Sequence, residues 1–350
     1  IHDNFFELGG HSLLAAQVIA RIQTVCQLTL PLSRLFETPT IAKLAAGSND
    51  LQRQDHLPAS PLIAKAKREK AELIPLSFAQ QRLWLLHQLE PDNNSYHMTR
   101  TFRLCGELNV GALERAFTTI VERHEALRTQ FVEINGVPWQ AIAPATPFQL
   151  QQINLTNRPN DLQALLETEA YRPFDLSTDL MIRATLIQLD EPQKEKGKEK
   201  AHILQFVMHH IASDGWSRGI FTHELTTLYN AYVKGQSNPL PPLAIQYADF
   251  SQWQRDSLSG DRRGQQLSYW EQQLKGAPLL LELPTDHPRP LQPSYQGKRV
   301  TFTLPNDLAE KLRALSQQQG VTLFMTLHAA FSVLLYRYSG QTDIVVGSPI

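Results

Sequence analysis

The run Ile203-Leu204-Gln205-Phe206-Val207-Met208 ends in two adjacent histidines, and it constrains the fold more tightly than any other stretch. Its apolar and β-branched content is that of a buried strand. Side chains alternate faces along a strand, so His210 points the same way as Leu204, Phe206 and Met208, and His209 points the other way. One imidazole then faces structure and the other is delivered at a strand end, just before a turn marked by Ser213-Asp214-Gly215. A neutral imidazole there can remove a proton near pH 7. A buried, hydrogen-bonded pair of histidines is the plainer reading of the two residues alone.

Helix and strand patterns alternate on both sides of this run. Ser77 to Gln88 reads as a helix with Leu83, Trp84 and Leu86 as apolar contacts, and Thr99 to Leu104 as a strand. Val110 to Leu127 reads as an amphipathic helix with Leu113, Phe117, Ile120, Val121, His124 and Leu127 on one side and Asn109 as its N-cap. Ile182 to Leu189 pairs with Ile203 to Met208, and Trp216 to Tyr232 is a helix. The passage from Leu283 to Pro290, rich in proline, breaks the pattern and suits a crossover between lobes. Beyond it come a strand (Arg299 to Leu304), helices over Asp307 to Gln319 and Leu323 to Tyr338, and a last strand (Asp343 to Val346). At 350 residues the chain has room for two or three cores.

Residues 1–47 differ in kind. Ser12 to Gln23 has helical apolar spacing, and Ile41 and Leu44 suggest a further helix after Pro39. From there to Leu73 the chain turns polar and charged, which reads as a linker. Ser12 follows Gly9-Gly10-His11 at the start of a helix, where free amides and the dipole favour an anion. Two readings stand on spacing alone: Ser12 is an N-cap, or it carries a phosphodiester.

Charge and cysteine content exclude several classes. Lys plus Arg is 33 against 34 Asp plus Glu, a net charge of −1, which argues against nucleic acid as a partner. The dense run Asp190 to Lys200 mixes signs and reads as a solvated hairpin loop. The two cysteines, Cys26 and Cys105, fit a reducing cytoplasm rather than a disulfide framework. No apolar run approaches the ~20 residues of a membrane span. Adjacent histidines on a strand point apart, unlike the i, i+4 ligands of zinc proteases, so no metal is expected.

The string Asp3-Asn4-Phe5-Phe6-Glu7-Leu8-Gly9-Gly10-His11-Ser12-Leu13-Leu14 closely resembles the attachment motif of peptidyl carrier proteins. That resemblance implies 4′-phosphopantetheine on Ser12, with Gly10 and His11 beside it, and a small helical carrier, a partial four-helix bundle lacking its first helix. Four further strings resemble, in order, the motifs of condensation domains from non-ribosomal peptide synthetases. They are Ser77-Phe78-Ala79-Gln80-Gln81-Arg82-Leu83-Trp84, the stretch Arg123-His124-Glu125-Ala126-Leu127-Arg128-Thr129-Gln130-Phe131, Met208 to Ser217, and Tyr247-Ala248-Asp249-Phe250-Ser251-Gln252-Trp253. The second resembles the subtype that joins two L-residues.

The resemblance implies an α/β chloramphenicol-acetyltransferase-like fold of two lobes, divided as carrier 1–47, linker 48–73, first lobe 74–282 and the start of a truncated second lobe 283–350. It implies amide-bond formation between a donor thioester and the amine of an acceptor aminoacyl thioester. The active-site motif supplies His209, His210, Asp214 and Gly215. His210 lies beside the amine, either as a base or to orient it and stabilise the tetrahedral intermediate. Asp214 is expected to pair with Arg123 or Arg128, and Gly215 to leave room for the acceptor arm. Trp84, Trp216 and Trp253 are expected in the core. Implied partners are an upstream adenylation domain, a phosphopantetheinyl transferase and a downstream acceptor carrier. An epimerase-type relative, or a carrier and binding fragment inactive on its own, are the rival readings.

Overall fold

The computed structural model describes residues 1–51 except Glu7, Gly9, His11, Gln27, Thr29 and Pro31, then Ile63, Lys65, 73–189 except Asn157, 201–290, Gly297 and 300–347. The run Asp190 to Lys200 and most of the linker lie outside the described residues. Two compact units divide the chain, one formed by Ile1–Ser60 with Ser268–Ile350 and the other by Pro61–Leu267.

In the first unit, helices α1 (Ser12–Cys26), α2 (Leu32–Glu37) and α3 (Ile41–Leu51) follow the apolar spacing of residues 1–47. Ala15, Leu30 and Leu35 form their buried contacts. The segment before α1 is tied to the start of α3 by Phe5 N–H donating to the Pro39 carbonyl (2.7 Å) and Ala42 N–H to that of Ile1 (3.0 Å). Phe6 stacks on Phe36 with ring centroids 4.9 Å apart.

In the second unit, strand β1 (Ile74–Pro75), helix α4 (Phe78–Leu89), strand β2 (His97–Cys105), helix α5 (Val110–Arg123) and strands β3 (Thr129–Ile134), β4 (Val137–Ile142) and β5 (Gln151–Asn154) come first. Helix α6 (Leu162–Tyr171), strands β6 (Ile182–Leu189) and β7 (Ala201–His209), and helices α7 (Ser217–Val233), α8 (Tyr247–Ser257) and α9 (Gly260–Gln273) complete it, α9 running across its boundary. One sheet has the order β2-β7-β6-β5 and a smaller one β1-β4-β3. β7 lies between two antiparallel partners, with His97 opposite His209 and Ile182 opposite Met208, whereas β5 runs parallel to β6.

Alternation along β7 sorts the core as the sequence dictates. Leu204, Phe206 and Met208 pack under α5 and α7 with Phe117, Ile120, Phe221 and Leu228. Val207 faces the other side, against Leu83, Trp84, Phe131, Phe174 and Met181. Burying each such large side chain contributes ~1.5–3 kcal/mol. The Asn109 cap is present, its side-chain oxygen accepting from Ala112 N–H at 2.9 Å.

Three sequence expectations require correction. α5 stops at Arg123, because His124 leaves helical dihedrals (φ −101, ψ 97) and Glu125–Arg128 winds as a single 3₁₀ turn. Residues 300–304 and 343–346 are not strands; they join neither sheet, and an extended segment becomes a strand only by pairing. Arg299 lies outside the described residues. Trp84 is buried as expected, but Trp216 is 39% exposed.

The first unit also holds helices α10 (Asn306–Gln318) and α11 (Leu323–Ser339), close to their predicted spans. Thr322 caps α11 through Met325 N–H (3.2 Å), and Gly340 at φ 72 ends it in the left-handed conformation that glycine adopts without penalty. Among the described residues no single helix is long and apolar enough to cross a membrane.

Candidate active site

β7 fixes the two histidines through their backbones. His209 N–H donates to the Met181 carbonyl (3.1 Å) and His210 N–H to that of Tyr96 (2.9 Å), so the strand end is held from both sides. Ser213 closes the turn by donating its hydroxyl to the His209 carbonyl at 3.0 Å.

The two imidazoles then meet opposite environments. His209 is 3% exposed, and its ring sits edge-on to Phe174, His97 and His87 with centroids 5.7, 6.0 and 6.4 Å away. Its Nδ1 accepts from Ile211 N–H at 3.1 Å, which leaves the proton on Nε2. Burial first, then the neighbouring His97, His87 and His210 and the Arg183 guanidinium, push its pKa down to about 3. His209 is therefore neutral near pH 7 and serves to hold the turn. His210 is exposed. Of the pair, it is the imidazole open to a substrate.

The structure corrects the expected ion pair of Asp214. Its Oδ1 accepts from Ser217 N–H (2.7 Å) and the Ser217 hydroxyl (2.6 Å), while Asp214 N–H donates back to the Ser217 oxygen (3.2 Å). This reciprocal arrangement closes the local turn that leads the chain into α7. Burial alone raises the Asp214 pKa, but the Ser217 and Trp216 hydrogen bonds and the nearby His210 outweigh it and hold the carboxyl below its usual range.

Neither candidate arginine bonds Asp214. Arg123 Nε donates to Glu224 Oε1 at 3.0 Å, and its Nη1 to the Pro241 carbonyl. Arg128 donates to the Ala143 carbonyl and lies 3.9 Å from Glu125. Glu224, 6% exposed, also meets His124 Nε2 at 2.6 Å. A buried carboxylate outcompetes an exposed one for the guanidinium, because leaving it unpaired costs more. Gly215 stands open, with only Arg218 Nη2 (3.8 Å) near where a Cβ would project.

The four motif strings converge in space. Ser77 caps α4 in a capping box with Gln80, and its hydroxyl meets the Tyr247 hydroxyl at 3.0 Å. Gln80 Nε2 donates to Gln140 Oε1 (3.1 Å), and Ser251 donates to Gln80 Oε1 (3.3 Å). Gln246, just before α8, accepts from Glu125 N–H (3.1 Å) and donates to the Arg123 carbonyl (2.9 Å). Sequence reasoning missed Glu224, although a signal was present: it falls on the apolar stripe Phe221, Leu225, Leu228 of α7, where a carboxylate must have a partner.

At the other end of the chain, Ser12 is the first residue of α1 and His11 lies outside the described residues. Gly10 N–H donates to the Phe5 carbonyl at 2.9 Å. A Cβ on Gly10 would fall 2.5 Å from that oxygen and 2.4 Å from the Phe5 ring, so only glycine lets the loop fold back and present the helix start. A serine at a helix N-terminus fits a phosphodiester.

Residues 70–350 match the family described as condensation domain, and residues 1–47 the phosphopantetheine attachment site. The chain is 45% identical over its whole length to one of the linear gramicidin synthase proteins of Brevibacillus parabrevis, of which it spans 7%. The X-domain from teicoplanin biosynthesis superposes with a TM-score of 0.72 at 32% identity, covering 81% of this chain and 61% of that one. The first condensation domain of the calcium-dependent antibiotic synthetase shares the fold at TM-score 0.60 and 22% identity, with 79% and 62% covered. A matched phosphopantetheine attachment domain followed by 281 matched residues of the α/β, chloramphenicol-acetyltransferase-like fold places this chain in the condensation-domain family.

Proposed function

We propose that this chain takes part in non-ribosomal peptide synthesis, joining a donor acyl or peptidyl group to an acceptor amine at His210. In this reading residues 1–47 are the carrier, with 4′-phosphopantetheine on Ser12 presenting the donor, and 48–73 are the linker. The first lobe of the condensation domain runs over 74–282, and 283–350 begin its second lobe. The phosphopantetheine thiol, when bound, supplies the thioester that activates the acyl group.

His210 faces the incoming amine and either takes its proton or orients its lone pair as the C–N bond forms and the donor C–S bond breaks. The proton lost by the amine ends on the released thiol. Tethering both substrates raises their effective molarity and removes several kcal/mol of barrier. Gly215 leaves the approach open, and Asp214 fixes the turn through Ser217. The adenylation domain, acceptor carrier and phosphopantetheinyl transferase are the partners this chemistry requires. The free thiols of Cys26 and Cys105 fit a cytoplasmic setting.

One observation carries the proposal: the exposed His210 imidazole held at a strand end beside a His209 that burial keeps neutral. Its test is His210→Ala in the intact synthetase. Amide formation should fall ~10²–10⁴-fold, the range for a positioned acid–base group, with Ser12 loading unchanged. Wild-type turnover in that variant would overturn the assignment.

A further inference from the structure

The turn after His210 leads into a cation that no described residue engages. Arg218 is the second residue of α7, and its guanidinium makes no hydrogen bond and no ion pair among the described residues. Its Nε is shut off from water, and its Nη2 reaches toward Gly215, 3.8 Å from where a Cβ would project. The arginines of the second motif are committed, Arg123 to Glu224 and the Pro241 carbonyl, Arg128 to the Ala143 carbonyl.

Such a placement costs free energy unless an anion comes to it. The first turn of α7 contains no acidic residue, and the positive end of its dipole adds to the guanidinium charge instead of offsetting it. Asp214, four residues back, gives its Oδ1 to Ser217 and forms no ion pair with Arg218. A covered donor without an acceptor also forfeits the hydrogen bond it makes in water.

Position names the anion. Gly215 adjoins Asp214, whose carboxyl lies within electrostatic reach of both His210 and the Tyr247 hydroxyl. Arg218 thus reaches over the glycine of the turn that carries the exposed imidazole. In the acyl transfer proposed above, negative charge develops first on the acyl oxygen, as the amine adds to the carbonyl carbon and the π electrons move onto oxygen. Their return expels the thiolate, which takes the proton that the amine loses.

We infer that Arg218 is a catalytic residue that donates to the acyl oxygen at His210 and holds its charge while the tetrahedral intermediate forms and collapses. The inference rests on the condensation reading above. A preorganised donor of this kind contributes ~10²–10³ to kcat.

Single-turnover condensation on the intact synthetase tests it, with Ser12 and the acceptor carrier loaded beforehand. Arg218→Met and Arg218→Ala should lower the rate ~10²–10³-fold with Ser12 loading unchanged. Low-millimolar guanidinium should restore much of the rate of Arg218→Ala, and methylammonium less. Arg218→Lys keeps the charge but not the planar fork and should fall in between, and it carries the test if the uncharged variants fail to fold by circular dichroism. A purely structural role would lower the urea midpoint and leave the lost rate unrestored by guanidinium. Wild-type rate in Arg218→Met beside a slow His210→Ala overturns the inference alone, as does a loss in Arg218→Ala that guanidinium leaves unrestored. A synthetase that forms no amide, or forms it at full rate without His210, overturns the condensation reading and this inference with it.

Discussion

Glu224 organises the residues around the second motif more than Asp214 does. It is buried, and it takes both Arg123 and His124, so removing Arg123 takes away its guanidinium partner and leaves one carboxylate oxygen inside the protein without its bond. Arg123→Ala should therefore cost ~3–5 kcal/mol, the range for breaking one side of a buried pair. Asp214→Ala removes only exposed local bonds, to Ser217 and Trp216, and should cost ~0.5–1.5 kcal/mol, the net range for an ordinary intramolecular hydrogen bond. Urea denaturation of both variants checks the ranking; equal losses would show that Asp214 has a buried charged partner after all. His209 makes a second prediction. Its folded pKa, about 3, lies below the unfolded value of 6.5, so the unfolded chain takes up the proton first. Stability is full above pH 6.5 and falls as pH drops toward 3, at ~1.4 kcal/mol per pH unit, about 2 kcal/mol by pH 5. His87 and His97, both lowered chiefly by burial, act in the same direction. Urea midpoints at pH 7 and pH 5 should differ less in His209→Gln than in the wild type, and an equal difference would remove His209 from the account.

Helices α4 and α8 lock together through polar bonds that neither helix's periodicity reveals. Phe78 N–H donates to Gln254 Oε1 (2.9 Å), Arg255 Nε to the Leu76 carbonyl (2.7 Å), and the Arg255 guanidinium lies 4.1 Å over the Phe78 ring. Ser77 adds the Tyr247 contact to its own cap, so Ser77→Ala should destabilise by more than a lone cap, about 2 kcal/mol against the ~1 kcal/mol typical. A thermal or urea melt checks this, and a loss below ~0.5 kcal/mol would show that the α4–α8 contact contributes nothing. Such elements also mark where the sequence was legible. The stripe of α5, its Asn109 cap and the β6–β7 pairing are written in local periodicity and cap chemistry, and they were readable. The early end of α5 was not, because His124 turns away to reach Glu224, a hundred residues on. Nor was the fate of 300–304 and 343–346, since strand formation is decided by a partner and not by the segment. The site divides the same way: alternation along β7 set the two histidines apart without deciding which of them is buried, and the choice of Glu224 over Asp214 by Arg123 is a tertiary competition.

Across the whole molecule, the proposed function needs a phosphopantetheine on Ser12, at one helix start, and the exposed His210 imidazole at one strand end. The carrier helices and the β7 turn belong to different compact units, and the three apolar clusters among the described residues lie in the unit that holds the turn. That division suits a donor delivered on a tether, since the serine-bearing loop depends on Gly10 and Phe5 and not on the histidine turn. The most direct test of the link is a single-turnover mass measurement on the intact synthetase. Ser12 is loaded with a donor acyl group, the acceptor carrier with an aminoacyl group, and the mass on each carrier is followed with time. The account predicts that the donor mass leaves Ser12 and appears, amide-linked, on the acceptor carrier, and that in His210→Ala it stays on Ser12. Transfer at the wild-type rate without His210, or no phosphopantetheine mass on Ser12 at all, would contradict it.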